Sequence, residues 1–186
     1  GVIVFCCGDC LRFGEIYEYQ VGLVIKDGGT RDMVHVHTGN GGGLLLAEQC
    51  PVSSPEMSEM FLRQIASSVA LKGIPLVIVY GHFPCGAAGL DDISARAEIQ
   101  AVVEAKQAIH TRVPNMVRQL VEAKPEKFVG RVLGVDIPLS LQVVVKVHLD
   151  YGDGGMFTYR VDERQWRREF NSTIALSAEM ANQVSV

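Results

Sequence analysis

Cysteine and histidine side chains follow two separate apolar runs of this sequence. Cys6, Cys7, Asp9 and Cys10 come after the first run, and His82 and Cys85 come after the second. Loops at the carboxyl ends of neighbouring parallel strands converge at one edge of a sheet, so these side chains can meet if both runs are strands. Two thiolates and one imidazole suit zinc, and they leave a fourth position for water, a carboxylate or another thiolate. The sequence therefore offers a candidate zinc site.

Each of these residues also has a purely structural interpretation. Cysteines are common in protein cores, a histidine after a strand can simply bond a carbonyl, and a His-x-x-Cys spacing is frequent by chance. Cys7 and Cys10 form a Cys-x-x-Cys pair, which together with His82 and Cys85 would complete a closed site of three cysteines and one histidine. Such a site has no place for water. The sequence up to this point is compatible with either a catalytic or a structural metal site.

Short β-branched and aromatic runs predict the strands that would carry these loops. They are Val2–Phe5, Val21–Ile25, Met33–His37 and the continuously apolar Ile74–Tyr80. The last run is typical of a strand buried on both faces, and we expect it to be the central parallel strand. Near the end of the chain, Val143–Leu149 and Met156–Val161 flank a glycine-rich turn, which indicates a hairpin.

Helices are predicted between these strands. Ser54–Glu56 supplies a cap, a proline suited to the first helical position and an acid for the first turn of an amphipathic helix that ends near Gly73. Asp91–Asp92 precedes a longer helical pattern, which contains either two helices or one helix with a break at Pro114. Strands separated by helices predict a single α/β domain over residues 1–186, in which helices flank a mostly parallel central sheet with antiparallel edge strands.

Composition and charge narrow the classes of function. A net charge of -4 without any concentration of lysine and arginine gives no general attraction to phosphate backbones or anionic lipid, so neither nucleic acid nor membrane is expected as a partner. No apolar run is long enough to cross a bilayer, and the first residues lack the features of a signal peptide. Five cysteines are an odd number and indicate thiols or metal ligands, which favours a reducing, cytoplasmic location.

The motifs in the two loops resemble those of the β-class carbonic anhydrases. Cys7–Asp9 is similar to the start of that family's Cys-x-Asp-x-Arg motif, and Gly81–Ala87 contains its His-x-x-Cys-Gly motif. Between them, Arg31–Asn40 resembles the family's strand that ends in Arg-Asn-Ala-Gly-Asn, with Gly39 and Asn40 retained. The resemblance extends to the closing hairpin.

This resemblance implies a function as well as a fold. Cys7, His82 and Cys85 would bind zinc, and Asp9 would be the carboxylate that either leaves the metal to water or occupies the fourth position itself. Zinc would lower the pKa of its bound water towards about 7, so that hydroxide becomes available to attack CO2 and form bicarbonate. The family also implies a homodimer or a dimer of dimers, in which the subunits share the wall of the active site.

Three positions depart from the family's motifs. Leu11 stands where the family has the arginine that holds the aspartate off the metal, and Arg12 follows one residue later. Val36 and His37 replace the arginine and the asparagine of the second motif. These departures leave two alternatives to a carbonic anhydrase. One is a catalytically impaired, zinc-binding protein with a structural or regulatory role, and the other is a hydrolase of a CO2 analogue such as carbonyl sulfide or carbon disulfide.

Other conspicuous residues receive simpler interpretations. His35 and His37 share one face of a predicted strand, where we expect partly exposed histidines rather than metal ligands. Cys50 is interpreted as a loop or interface thiol, and Cys6 is expected to point into the core. The glycine-rich segment 39–43 lacks both the lysine and the helix start of a phosphate-binding loop.

Overall fold

Five strands form one sheet in the part of the chain that the computed structural model describes, which comprises residues 1–7, 13–127, 141–150, 156–162 and 164–166. The strands are β1 (Val2–Cys7), β2 (Val34–Gly39), β3 (Leu76–Phe83), β4 (Gln142–Asp150) and β5 (Met156–Arg160). Their order across the sheet is β2-β1-β3-β4-β5. The first four are parallel, and β5 pairs antiparallel with β4. The predicted mixed α/β fold with a mostly parallel sheet and a central β3 is confirmed, with an antiparallel strand at one edge.

The helices are α1 (Phe13–Lys26), α2 (Pro55–Lys72), α3 (Gly86–Leu90) and α4 (Ala95–Ala123), and short 3-10 helices span Arg31–Met33, Gly42–Leu46 and Pro125–Lys127. The predicted caps of α2 are confirmed. The Ser54 hydroxyl accepts a hydrogen bond from the backbone N–H of Met57, and Gly73 ends the helix with a φ of 66°. None of the described helices is both long enough and apolar enough to span a membrane.

The helices cover the sheet on both faces. Helix α1 packs on one face, where Ile16 and Val21 join a cluster with Tyr80, and α2 and α4 pack on the other face. Because successive side chains of a strand point to opposite faces, Cys6 enters the α1 cluster while Cys7 enters the larger cluster beneath α2 and α4. The prediction that Cys6 points into the core is therefore confirmed, and the end of β1 delivers Cys7 to the α4 side.

The predicted strand Val21–Ile25 is wrong, because these residues form the second half of α1. Short apolar runs fit either state, and here the buried residues Ile16, Gln20 and Val21 follow helical spacing. The alternation expected of a strand is absent from this part of the burial pattern.

The segment before α4 also differs from its prediction. Asp91 and Asp92 do not open the helix, since the short helix α3 precedes them and the Ser94 hydroxyl caps α4 by accepting the N–H of Ala97. Helix α4 continues through Pro114. Burial of apolar side chains on both sides of the proline favours a continuous helix despite the lost hydrogen bond.

The glycine-rich segment is likewise different from its prediction, because the 3-10 helix Gly42–Leu46 begins inside it. Its three leucines are at most 4% exposed and belong to the core beneath α2 and α4. Gly41–Ala47 therefore forms a buried layer that lies against the end of β1.

Candidate metal centre

Three side chains with metal-binding atoms converge at the carboxyl edge of the sheet. Cys7 is the last residue of β1, His82 lies one residue before the end of β3, and Cys85 follows that strand directly before α3. Strands β1 and β3 are parallel neighbours, so both chains leave the sheet at the same edge. One donor atom from each of the three side chains lies within 4.8 Å of the other two. The structure thus brings together the three predicted zinc ligands.

The donor set fits zinc in chemistry and in scale. In a tetrahedral site with zinc–sulfur bonds of about 2.3 Å, two thiolates on one ion lie about 3.8 Å apart, which is within the separation found here. Cys7, His82 and Cys85 are 0%, 8% and 4% exposed, respectively. Buried thiols that share a cluster with an imidazole are a soft to borderline set suited to zinc rather than to calcium or magnesium.

The surroundings of Cys85 favour its ionised form. Its pKa is lowered to about 4, chiefly by a hydrogen bond with the Cys7 side chain and then by hydrogen bonding to His82 and to the backbone of Ala88, while burial acts in the opposite direction. The thiolate is the form that binds metals, so this arrangement prepares one ligand at neutral pH.

A backbone amide supports the second thiol. The N–H of Gly41 donates a hydrogen bond to the Cys7 Sγ atom over 3.1 Å. Gly42 follows with a φ of 53°, and a Cβ atom there would lie 2.7 Å from the backbone nitrogen of Cys7. Only glycine fits this close approach without displacing the end of β1. The glycine-rich segment therefore encloses Cys7, although its sequence did not predict this role.

Glu98 is a site residue that the sequence analysis missed. It lies in the first turn of α4, it is 3% exposed, and its Oε1 atom accepts a hydrogen bond from the backbone N–H of His82 at 3.2 Å. A Cβ atom on Gly81 would lie 2.8 Å from Val102 Cγ2, so this glycine allows β3 and α4 to approach each other. In sequence, the available signal was a carboxylate at helical spacing from Ala101, Val102 and Ala105, on the buried face of the helix.

Burial changes the acidity of Glu98. Its pKa is raised to about 7, mainly by desolvation and secondly by the charge of Cys85, while His82 acts to lower it. The Oε2 atom has no hydrogen-bond partner among the described residues. A second negative charge beside a thiolate is costly in a buried site. Ionisation of Glu98 is therefore disfavoured, and its carboxyl group in turn disfavours a further anion at the site.

The residues predicted for the fourth position lie outside the described part of the chain. Asp9, the predicted catalytic carboxylate, lies there together with Cys10, Leu11 and Arg12. The roles assigned to them from the sequence remain predictions. The described residues thus bring together three of the donors that the family resemblance implies.

The second histidine cluster lies apart from this centre. His35 and His37 line a cavity of about 780 Å³ between β2 and α2, with ring centroids 5.0 Å apart. Both are half-buried, as the interpretation of partly exposed histidines expected. His37 Nε2 shares a hydrogen bond of 2.8 Å with the Ser68 hydroxyl, and burial lowers its pKa to about 4, with a smaller contribution from His35. Within the described residues, the metal-binding cluster of three or more donors is the one at Cys7.

Comparisons with known proteins were made at the level of family, sequence and structure. A scan against protein-family models, a search of curated proteins and a search of solved structures each found no match. The case for a metal centre rests on the three donors, their burial and the contacts around them.

Proposed function

We propose that this chain is a zinc-dependent carbonic anhydrase that interconverts CO2 and bicarbonate. The observation that carries the proposal is the convergence of Cys7, His82 and Cys85 at the carboxyl edge of two neighbouring parallel strands. The sequence motifs around these residues resemble those of the β-class carbonic anhydrases, and a parallel sheet with an antiparallel closing strand agrees with that proposal. We extend the proposal to a β-carbonic-anhydrase-like fold.

The residues of the chain would hold the metal and fix its surroundings. Cys7 and Cys85 offer two thiolates whose charges match that of one divalent ion, and His82 offers a neutral donor. When bound, zinc supplies a Lewis acid that lowers the pKa of water towards neutrality. Burial of the three ligands keeps them away from bulk solvent.

Contacts to the backbone orient the ligands. The Glu98 carboxylate fixes the N–H of His82, and the N–H of Gly41 fixes the sulfur of Cys7. Outer contacts of this kind set ligand orientation and contribute to metal affinity. Asp9 remains the carboxylate proposed either to leave the metal to water or to occupy the fourth position itself.

The proposal is tested by combining a metal assay with a rate assay. Protein brought to one zinc per chain should hydrate CO2 in stopped flow, with turnover that rises with pH. Cys85→Ser should lose most of its zinc and its activity. Cys50→Ser is the matched control, because Cys50 is another buried cysteine but lies outside the donor cluster.

The two readouts separate the outcomes. Zinc bound at one per chain with no turnover at any pH would refute the enzymatic function and retain the metal site. Equal zinc retention in Cys85→Ser and the wild type would refute the metal site itself.

A second candidate function is a structural zinc site in a non-catalytic protein. The observation in its favour is the nearly complete burial of Cys7, His82 and Cys85, since structural sites are closed whereas catalytic sites keep an open position. Under this alternative Cys10 is the fourth ligand, and Cys10→Ser should weaken zinc binding by at least tenfold. Under the enzymatic proposal, the same substitution should leave the zinc affinity unchanged.

A further inference from the structure

A cavity of about 410 Å³ lies on the α1 face of the sheet, away from the metal-binding cysteines. Ile16 and Tyr19 of α1 form one wall, and Tyr80 of β3 lies beside Lys146 of β4. Arg160 and Thr158 of β5 complete the described lining together with Glu15. Its volume is in the range of small-molecule sites.

Two cations lie side by side in the lining of this cavity. Lys146 and Arg160 are directly opposed in the antiparallel pairing of β4 with β5. Like charges in this position destabilise a strand pair. Burial lowers the pKa of Lys146, and the charge of Arg160 lowers it further. The described lining contains these two cations and one carboxylate, Glu15, so its formal charge is positive.

Aromatic rings lie against the lysine in the same cavity. The Lys146 ammonium lies 5.3 Å from the ring centroid of Tyr19 and 5.6 Å from that of Tyr80. The Tyr80 hydroxyl accepts a 2.6 Å hydrogen bond from Gln20 Nε2, which fixes this ring against the sheet. Tyr19 is 58% exposed, so its ring has free surface that a ligand can cover. The cavity therefore combines two neighbouring cations with exposed aromatic surface.

We infer that this cavity binds a small organic carboxylate, with its anionic group between Lys146 and Arg160 and its apolar body against Tyr19 and Ile16. A carboxylate would relieve the repulsion between the two cations, and charge-assisted hydrogen bonds to lysine and arginine are stronger than neutral ones. Glu15, the carboxylate in the described lining, disfavours ligands with more than one negative charge. The inference does not depend on the proposed zinc chemistry, since none of the three proposed zinc ligands lines this cavity, and Cys7 and Cys85 belong to the cluster beneath α2 and α4.

Benzoate is a suitable probe, because it combines one carboxylate with a flat apolar ring. Isothermal titration of the full chain should show saturable binding of benzoate and weaker binding of inorganic phosphate. Lys146→Met and Arg160→Met should each weaken benzoate binding at least tenfold, and Glu15→Gln should tighten it. Circular dichroism checks that each variant is folded.

Lys72→Met is the control for the loss of one positive charge, since Lys72 lies on α2 at the other face of the sheet. Its affinity for benzoate should match that of the wild type. Absence of saturable benzoate binding, or equal losses in Lys72→Met and Lys146→Met, would overturn the inference. Phosphate binding as tight as benzoate would overturn the assignment of an apolar ligand body. Binding retained in Cys85→Ser would show that the cavity acts independently of the metal centre.

Discussion

The pH dependence of stability offers a direct test of how the buried Glu98 affects the metal-free protein. Burial raises its pKa from 4.5 to about 7 in the folded chain. For an acid with a raised pKa, the folded state retains its proton over a range in which the unfolded state has lost it. The loss of folding stability caused by burying Glu98 is therefore small below pH 4.5, grows as the pH rises from 4.5 to 7, and then levels off.

The size of the penalty follows from the two pKa values. A difference of 2.5 units corresponds to about 3 kcal/mol once the carboxylate is ionised in both states, and to about 1.4 kcal/mol at pH 5.5. Glu98→Gln has the same shape and no charge. The free energy of unfolding of this variant minus that of the wild type should therefore increase by about 2 kcal/mol between pH 5.5 and pH 8, so the variant gains stability relative to the wild type.

Urea unfolding followed by circular dichroism, with EDTA present, measures this double difference. Other titrating groups contribute to both proteins, so they largely cancel. Glu122→Gln is the control, because Glu122 is an exposed glutamate of the same helix. A difference between Glu98→Gln and the wild type that stays constant from pH 5.5 to pH 8 would show that burial does not keep Glu98 protonated.

Three further predictions address other parts of the molecule. Burial lowers the pKa of His37 from 6.5 to about 4, so stability due to this neutral imidazole should be lost as the pH falls from 6.5 towards 4, and NMR should show the ring still neutral at pH 5.5. Gly42→Ala should destabilise the chain by about 1–3 kcal/mol and weaken zinc binding, because the new Cβ would displace Cys7; unchanged thermal unfolding and zinc affinity would contradict this. Gly22→Ala is its control, because Gly22 lies in α1 and a Cβ atom there would have no neighbour within 4 Å. Alanine at this position should stabilise the helix by about 0.5–1 kcal/mol. Light scattering after size exclusion should give the mass of two or four chains, whereas a monomer mass of 20.3 kDa would remove the proposed dimer.

The success of the sequence-based predictions depended on how local their causes are. Helix α2 was predictable because the Ser54 cap, the first-position proline and the Gly73 terminus each act on adjacent residues. Strand β3 was predictable because it is apolar on both faces, as a central parallel strand must be. The run Val21–Ile25 was assigned wrongly, since a five-residue run contains too little periodicity to separate a strand from a helix.

The candidate site shows the same division. Cys7, His82 and Cys85 were found because each follows an apolar strand, and parallel pairing then brings the loops together. The contacts of Glu98 and Gly41 were not predictable, because they depend on how closely α4 and the glycine-rich segment approach the strands. Such distances are set by packing between elements distant in sequence, which spacing within a motif does not encode.

The charges around the site bear on which of the two proposed functions is favoured. Thiolates at Cys7 and Cys85 would neutralise one divalent zinc ion, so a neutral fourth ligand leaves the buried cluster without net charge. A carboxylate from Asp9 or a thiolate from Cys10 would add a negative charge close to Glu98, whose pKa is already raised by burial and by Cys85. Uncompensated charge in a buried site is costly, so this environment favours a neutral ligand such as water. The burial of the donors supports a closed structural centre, whereas the charge balance supports an open one with neutral water in the fourth position. The same environment would raise the pKa of that water and would disfavour the hydroxide that catalysis requires. An ionised Glu98 adds a negative charge near the cluster, so its ionisation determines how strongly a fourth anionic ligand is disfavoured.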